Sequence, residues 1–428
     1  MQVFDRLINL VSGLGGQGDK ASHTRFGGVT LDKAQLTLAY RSDWIARKIV
    51  DIPAKDALRA GRDWQAKSVD IGLIEETEKR LGFQRKALKT YQRARLYGGA
   101  GLVIGVAGQE GEEPLDPADV QKDGLTSLYP ATMDELTVST YNLDPASDRF
   151  GEPEYYTFNP LKSGSAGMRL HASRVVRMVG TEMLEDTGDL KGWGDSVLQS
   201  VADAIKAAGV SQQAVSSLLQ EAKIDVVRVK NLHTSLATKE YSDLMIKRYA
   251  LAGQLKSLTN TLLLDADEEW DQKQVNFATL PDIMDRFLQA ASGAADIPAT
   301  RMLGQSPAGM SATGESDLEN YYGRIGADQE LVLRPAFSIL DECIIRSALG
   351  DRPEDVHYTW SPLWTMSEKD QAEIAHKKAQ AVSAYSMSGL IPGGALSKAT
   401  INMITEDGFL PGLEAAMVDM DADMLGDD

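Results

Sequence analysis

Residues 299–349 restrict the possible architectures more than any other part of the chain. The stretch Ala299-Thr-Arg-Met-Leu-Gly-Gln-Ser-Pro-Ala-Gly-Met-Ser-Ala-Thr-Gly has no hydrophobic period and is the longest loop signal present. Loops of this length inside compact domains are usually functional or disordered. A helix of more than 30 residues follows, from about Glu315 to Leu349, with Leu318, Tyr322, Ile325, Phe337, Leu340 and Ile344 on related faces. Pro335 lies inside it and is predicted to kink it.

At 428 residues the chain has room for two or three domains, each able to bury a core. Hydrophobic residues at 43% and charged residues at 25% give a globular composition, not a disordered one. The single cysteine, Cys343, excludes a disulfide framework within the chain and a Cys-based zinc cluster, and fits a reducing compartment. Its place on the long helix predicts a buried packing residue. The best apolar run, Gly98 to Gly108, is too short and glycine-rich for a membrane span. Near the N-terminus Val3, Phe4, Leu7, Ile8 and Val11 have helical spacing, but Asp5 and Arg6 break the apolar stretch a signal peptide needs. That helix is expected to dock on the protein itself or on a neighbouring subunit, a membrane-surface helix being the alternative reading.

Acidic residues outnumber basic ones 62 to 44, for a formal charge of −18. The balance argues against tight nucleic-acid binding, which needs cations to displace condensed counterions. It is unevenly spread. After Lys398 there is no basic residue, and Glu406, Asp407, Glu414, Asp419, Asp421, Asp423, Asp427 and Asp428 form an acidic tail. Between Arg41 and Arg95 the sign reverses, with 14 basic and 8 acidic residues. Such a chain can pair unlike faces of adjacent subunits, or simply present solvated helix faces.

Hydrophobic periodicity predicts helices over 31–60, with Pro53 ending or bending the segment, and over 72–96. Gly101 to Ala107 reads as a buried strand, and Gly98-Gly-Ala-Gly as a tight start to it and not as a phosphate cradle. Residues 108–180 read as β-rich, with strands at 136–141, 155–158 and 175–179. A long helix is predicted over 195–222, started by Gly194 and Asp195. A short α/β segment follows: a strand at 226–229, a helix near 238–257, a strand at 261–264, then the acidic run 265–271. A helix over 280–294 ends at Pro298, and beyond the long helix come a strand at 357–360 and a helix from Ser367 to Gly389.

No P-loop, H-E-x-x-H, EF-hand loop or G-x-S-x-G elbow is present. The nearest enzymatic signal is a pair of H-x-S tripeptides, His171-Ala172-Ser173 and His233-Thr234-Ser235. Facing one another, they would suit a two-histidine phosphoesterase acting on cyclic nucleotides, one imidazole as general base and the other as acid. Chance pairing of a common serine with the five histidines explains them too, and Arg174 breaks the apolar flank an inner barrel strand would have.

The order of elements resembles the portal protein of tailed bacteriophages. Ile297-Pro-Ala-Thr-Arg-Met-Leu-Gly looks like that family's approach to its tunnel loop. Ser316-Asp-Leu-Glu-Asn-Tyr-Tyr-Gly-Arg-Ile, Gln329 and Leu333-Arg-Pro335 resemble the start and kink of its long helix. Trp360-Ser-Pro-Leu-Trp-Thr-Met-Ser-Glu-Lys-Asp-Gln-Ala-Glu with Gly389-Leu-Ile-Pro resembles its wing-to-crown junction. The nearest branch contains members with an appended anti-CBASS phosphoesterase domain that cleaves the host's cyclic-nucleotide signals.

The resemblance implies a mainly helical α+β portal fold that assembles as a ring. Its parts would be N-terminal helices and an α/β wing (1–194), a stem helix (195–222), a clip (223–277), a second stem helix (278–297) and a tunnel loop (298–314). A long kinked helix returning to the wing (315–364) and crown helices with the acidic tail (365–428) would complete it. The ring, typically of twelve subunits at one capsid vertex, would pass double-stranded DNA. It would meet the terminase large subunit, the major capsid protein and a head–tail adaptor, within a virion assembled in the host cytoplasm. A head–tail adaptor ring is the other structural reading.

No catalytic residue, cofactor, metal or membrane partner is expected. Arg301, Gln305, Ser306, Ser311 and Thr313 would offer polar contacts to DNA phosphates without reading bases, and Gly304, Gly309 and Gly314 would give the loop its hinges. Arg228, Lys230, Lys239, Lys247 and Arg248 would form the clip's docking surface. A mainly acidic channel suits a conduit, because DNA has to pass without sticking.

Overall fold

The computed structural model of this chain describes residues 30–406 apart from 67, 148, 161–166, 185–191, 221–222, 229–242, 245–246, 249, 252–268, 275–278, 305–313, 355, 365–367 and 390. It divides into two units, Met1–Ser361 and Pro362–Asp428. The N-terminal apolar segment and the acidic tail beyond Glu406 lie outside the described residues.

The first unit starts with two helices where periodicity predicts one. Helix α1 (Lys33–Ser42) opens with a capping box between Asp32 and Gln35. Asp43 has extended backbone, and its carboxylate accepts from the N–H groups of Ile45 and Ala46, starting α2 (Trp44–Arg59) afresh. Helix α2 continues past Pro53, so the proline does not end it. Proline has no N–H for the carbonyl four residues earlier, here Ile49. The buried Arg95 replaces it, donating to Ile49 O at 3.0 Å and to Val50 O at 3.2 Å. The last carbonyls of α2 are satisfied from outside as well: Gln329 donates to Ala57 O at 2.7 Å and Gln84 to Leu58 O at 2.8 Å.

Strand β1 (Arg62–Gln65) leads into α3 (Ser68–Leu81) and α4 (Phe83–Tyr97). These two helices replace the single one expected over 72–96, because Gly82 takes a left-handed φ of 63° between them. Gly98, at φ 94°, closes α4 and turns the chain into β2 (Gly99–Val106). A Cβ on Gly98 would overlap the Gly194 carbonyl, and one on Gly99 the Trp193 ring. The glycines thus serve close backbone approach at the head of the strand.

Strand β2 lies between β3 (Leu125–Thr132) and β7 (Val175–Val179), antiparallel to both, with Leu102 opposite Pro130 and Val176. Strands β4 (Leu136–Tyr141), β5 (Pro153–Phe158) and β6 (Met168–His171) form a second antiparallel sheet. Val103, Leu136, Tyr156, Phe158, Val175 and Trp193 fill a shared core.

The helix expected from 195 begins only at Ala202 (α5, Ala202–Gln220). Asp195 instead exchanges two backbone hydrogen bonds of 2.8 Å with Thr181, so the residues read as a helix start are tied to the sheet region. Strand β8 (Lys223–Arg228) pairs antiparallel with β9 (Glu269–Gln274), which covers the end of what reads in sequence only as an acidic run. Of the helix expected near 238–257, residues 243–244, 247–248 and 250–251 are helical; the strand expected at 261–264 lies outside the described residues.

Helix α6 (Leu280–Ala294) packs on α5. It ends before Pro298, at Ala295 and Asp296, the latter at a positive φ of 54°. Pro298 opens a short helix, α7 (Ala299–Leu303), in residues predicted to be loop.

Helix α8 (Glu315–Asp328) continues through a five-residue π-turn, Gln329–Leu333, into α9 (Arg334–Leu349). The Arg334 N–H reaches back five residues to Gln329 O, and Pro335 falls in the first turn of α9, where a missing N–H is tolerated. Cys343 on α9 is buried, as expected, and burial pushes its thiol up to about 12.

Strand β10 (His357–Trp360) closes the unit by pairing with β1, Trp64 opposite Tyr358. Between them Arg62 is buried, paired with Asp341 and Glu78 and enclosed by the rings of Phe83, Tyr358 and Trp64.

The second unit contributes α10 (Glu368–Ser388), ended by Gly389 at φ 66°, and α11 (Gly393–Glu406). Ser367, the expected cap of α10, lies outside the described residues. No described helix is long and apolar enough to cross a membrane.

Candidate functional site

The residues flanking 305–313 converge on one carboxylate. Asp56 occupies the fourth turn of α2, on the buried face that also carries Ile45, Ile49 and Ile52, and its side chain is fully buried. Its Oδ1 accepts from Arg301 Nη2 at 2.8 Å, and its Oδ2 from Arg301 Nε at 3.0 Å and from the Tyr321 hydroxyl at 3.0 Å. Arg59, one turn on, adds an ion pair at 3.5 Å. A buried carboxylate needs this density of donors to offset lost hydration. Hydrogen bonding to Asp56 raises the Arg301 pKa, and burial followed by the Asp56 charge pushes the Tyr321 phenol far up, so both hold the protons they donate.

Two further contacts fix the same region to α2. Lys48 donates to the carbonyl of Met302, near the end of α7. Gln329, at the π-turn, donates to Ala57 O. Gly304 ends α7 at φ 73° and Gly314 precedes α8 at φ 61°, both in the left-handed region that favours glycine.

Arg301, expected to offer a polar contact to DNA phosphate, donates twice to Asp56, and its side chain remains 34% exposed. Gln305, Ser306, Gly309, Ser311 and Thr313 lie outside the described residues. So do Lys230 and Lys239; Arg228 stands opposite Glu269 at the end of β8, and Lys247 and Arg248 are exposed on a helical turn.

Among the described residues no group of three His, Cys, Asp or Glu side chains is placed to hold a metal ion. His171 and Ser173 form a local turn: Ser173 N–H donates to His171 Nδ1 at 3.2 Å, and Ser173 Oγ lies 2.8 Å from the same nitrogen. The Ser173 oxygen also accepts from Leu115 N at 2.7 Å. Burial and then Arg149 lower the His171 pKa, which keeps the ring neutral and able to accept. Arg174 turns inward onto Glu113 O and Gln109. His233 and Ser235 lie outside the described residues.

The sequence singles out neither Asp56 nor Lys48, and it shows Tyr321 and Gln329 only as part of the resemblance to the start and kink of the long helix. Asp56 left one legible sign, an acid on an otherwise apolar helix face. Its partner at position 301 is 245 residues away, and no local pattern announces it.

Two antiparallel sheets against a helical body, a paired-helix extension and a long helix interrupted by a π-turn define an α+β portal fold. The chain is similar to a solved chain from the neck of a native gene transfer agent particle computed with C12 symmetry. The TM-score is 0.52 at 12% identity, covering 88% of this chain and 95% of that one. A chain from the neck of an empty particle gives 0.50 at 13% identity, over 94% and 98%. Residues 34–384 match the family described as phage portal protein, and the chain belongs to that family. The resemblance read from residues 297–392 therefore holds. Among its relatives, a protein named anti-CBASS protein Acb1 from Caulobacter sp. (strain RHG1) is 40% identical over 97% of this chain and 68% of its own length. A protein of the same name from Sphingomonas paeninsulae is 37% identical, over 98% and 69%.

Proposed function

We propose that this chain is the repeating subunit of a portal ring, typically of twelve copies, set at one vertex of a phage capsid. Double-stranded DNA enters and leaves the virion through its channel. The terminase large subunit, the major capsid protein and a head–tail adaptor dock on it, and assembly takes place in the host cytoplasm. Family membership over residues 34–384 is the observation that carries this reading. In it α5 and α6 are stem helices, the β8–β9 pair belongs to the clip, α10 and α11 to the crown, and residues 305–313 line the narrow part of the channel. The acidic composition suits a passage whose cargo must not adhere. Arg301, Gln305, Ser306, Ser311 and Thr313 offer the polar contacts to phosphate, Arg301 while also paired with Asp56.

Deleting residues 305–313 is the test within a particle. The reading predicts assembled capsids that package or retain less DNA; normal packaging and retention would sink the channel assignment.

The name of the two relatives supports a second reading, in which the chain takes part in defeating a host defence that signals through cyclic nucleotides. Within the described residues His171 and Ser173 are held as a turn, which favours a structural role for that H-x-S pair. Incubating purified protein with cyclic dinucleotides separates the readings. Cleavage that disappears on changing His171 or His233 would support the enzyme, and no cleavage supports the ring alone.

A further inference from the structure

We infer that Asp56 is the positioning residue of the channel segment: one buried carboxylate that ties both flanks of residues 305–313 to the same turn of α2. Its donors come from the two sides of that segment. Arg301, on α7, precedes Gln305 by four positions; Tyr321, on α8, follows Thr313 by eight. One carboxylate therefore sets the positions of α7 and α8, the helices that flank the segment. The assignment of a channel rests on the portal reading; the tie itself does not.

Helix α2 does not need this carboxylate for its own integrity. Its first turn is capped by Asp43, its proline gap is filled by Arg95, and its last carbonyls are met by Gln84 and Gln329. An apolar side chain at position 56 would continue the buried face of Ile45, Ile49 and Ile52 without any desolvation penalty. What an apolar residue cannot do is hold Arg301 and Tyr321 at a fixed separation. The bidentate geometry to Arg301 leaves part of Oδ2 for the phenol, so both flanks are registered against a single plane.

Hydrogen–deuterium exchange on the full-length chain tests the inference without reference to DNA. Asp56→Asn keeps the shape and removes the charge. Exchange in peptides covering 299–304 and 315–323 should rise about tenfold, the factor expected for losing one charge-assisted hydrogen bond, while peptides within 44–54 stay unchanged. Tyr321→Phe should loosen the 315–323 side alone, and Arg301→Gln the 299–304 side alone. These two variants keep the test decisive if Asp56→Asn fails to fold. Asp51→Asn, on the same helix but bonded to Tyr40 and Gln92, should leave both flanks unchanged. A uniform rise across all peptides, or flanks within about twofold of wild type, would overturn the inference. DNA packaging by particles carrying Asp56→Asn is a separate arm. Loosened flanks with undiminished packaging would leave the tie standing and count against the channel reading.

Discussion

Two prolines sit inside helical paths of this protein, and they are accommodated in opposite ways. Pro53 stands in the middle of α2, which neither ends nor changes register; a guanidinium from α4 supplies the donor that proline lacks. Pro335 stands at the head of α9, and there the chain itself adjusts, inserting a π-turn at Gln329–Leu333. The first solution needs a buried partner with donors to spare and keeps a helix continuous. The second needs no partner and changes the register of everything downstream. The difference matches what each helix does. Helix α2 is the fixed support on which Asp56 gathers the flanks of 305–313. The path through α8 and α9 changes register at the point where it leaves α2, since Gln329 both begins the π-turn and caps Ala57 O.

The sharpest way to break this comparison is Arg95→Met, which keeps much of the apolar stem and removes the donor. A buried carbonyl at Ile49 would be left unpartnered, and chemical denaturation should show a loss of about 2–4 kcal/mol. Asp56→Asn should come next, at about 1–2 kcal/mol, because the fully buried carboxylate and its charge-assisted bonds to the part-exposed Arg301 are lost. A double-mutant cycle sharpens the Pro53 account. Pro53→Ala restores an N–H for Ile49 O, so Arg95→Met should cost about 1–2 kcal/mol less in that background. Strict additivity of the two would mean that Arg95 acts through packing alone. Pro335→Ala should have the smallest effect, under about 1 kcal/mol, since buried Leu333 and Phe337 hold the register of α9 with or without the proline. Cys343 would report on it, its buried thiol remaining slow towards alkylating reagents; fast labelling would show that α9 had shifted.

Much of the element order was legible in the sequence, and the exceptions have physical causes. Periodic apolar residues run on through Asp43 and Gly82, so the 3.6-residue pattern could not reveal breaks set by one capping side chain and one left-handed glycine. Strand β3 contains Pro130, ordinarily a sign against a strand, and is tolerated because it lies at the edge of its sheet. Strand β9, Glu269-Trp-Asp-Gln-Lys-Gln, has no alternation to betray it. Pro53 was misleading in the other direction, because its compensation comes from Arg95, more than forty residues away. For the candidate site, the glycine-bounded segment was visible as a composition change. The role of Arg301 was not, since only the folded chain brings Asp56 to it.

Imaging the purified full-length protein by electron microscopy tests the central claim most directly, with native mass spectrometry to count subunits. A portal subunit predicts closed rings with a central hole wide enough for double-stranded DNA and a single dominant copy number near twelve. A monomer or small dimer with no such ring, under conditions where the protein is folded, would contradict it.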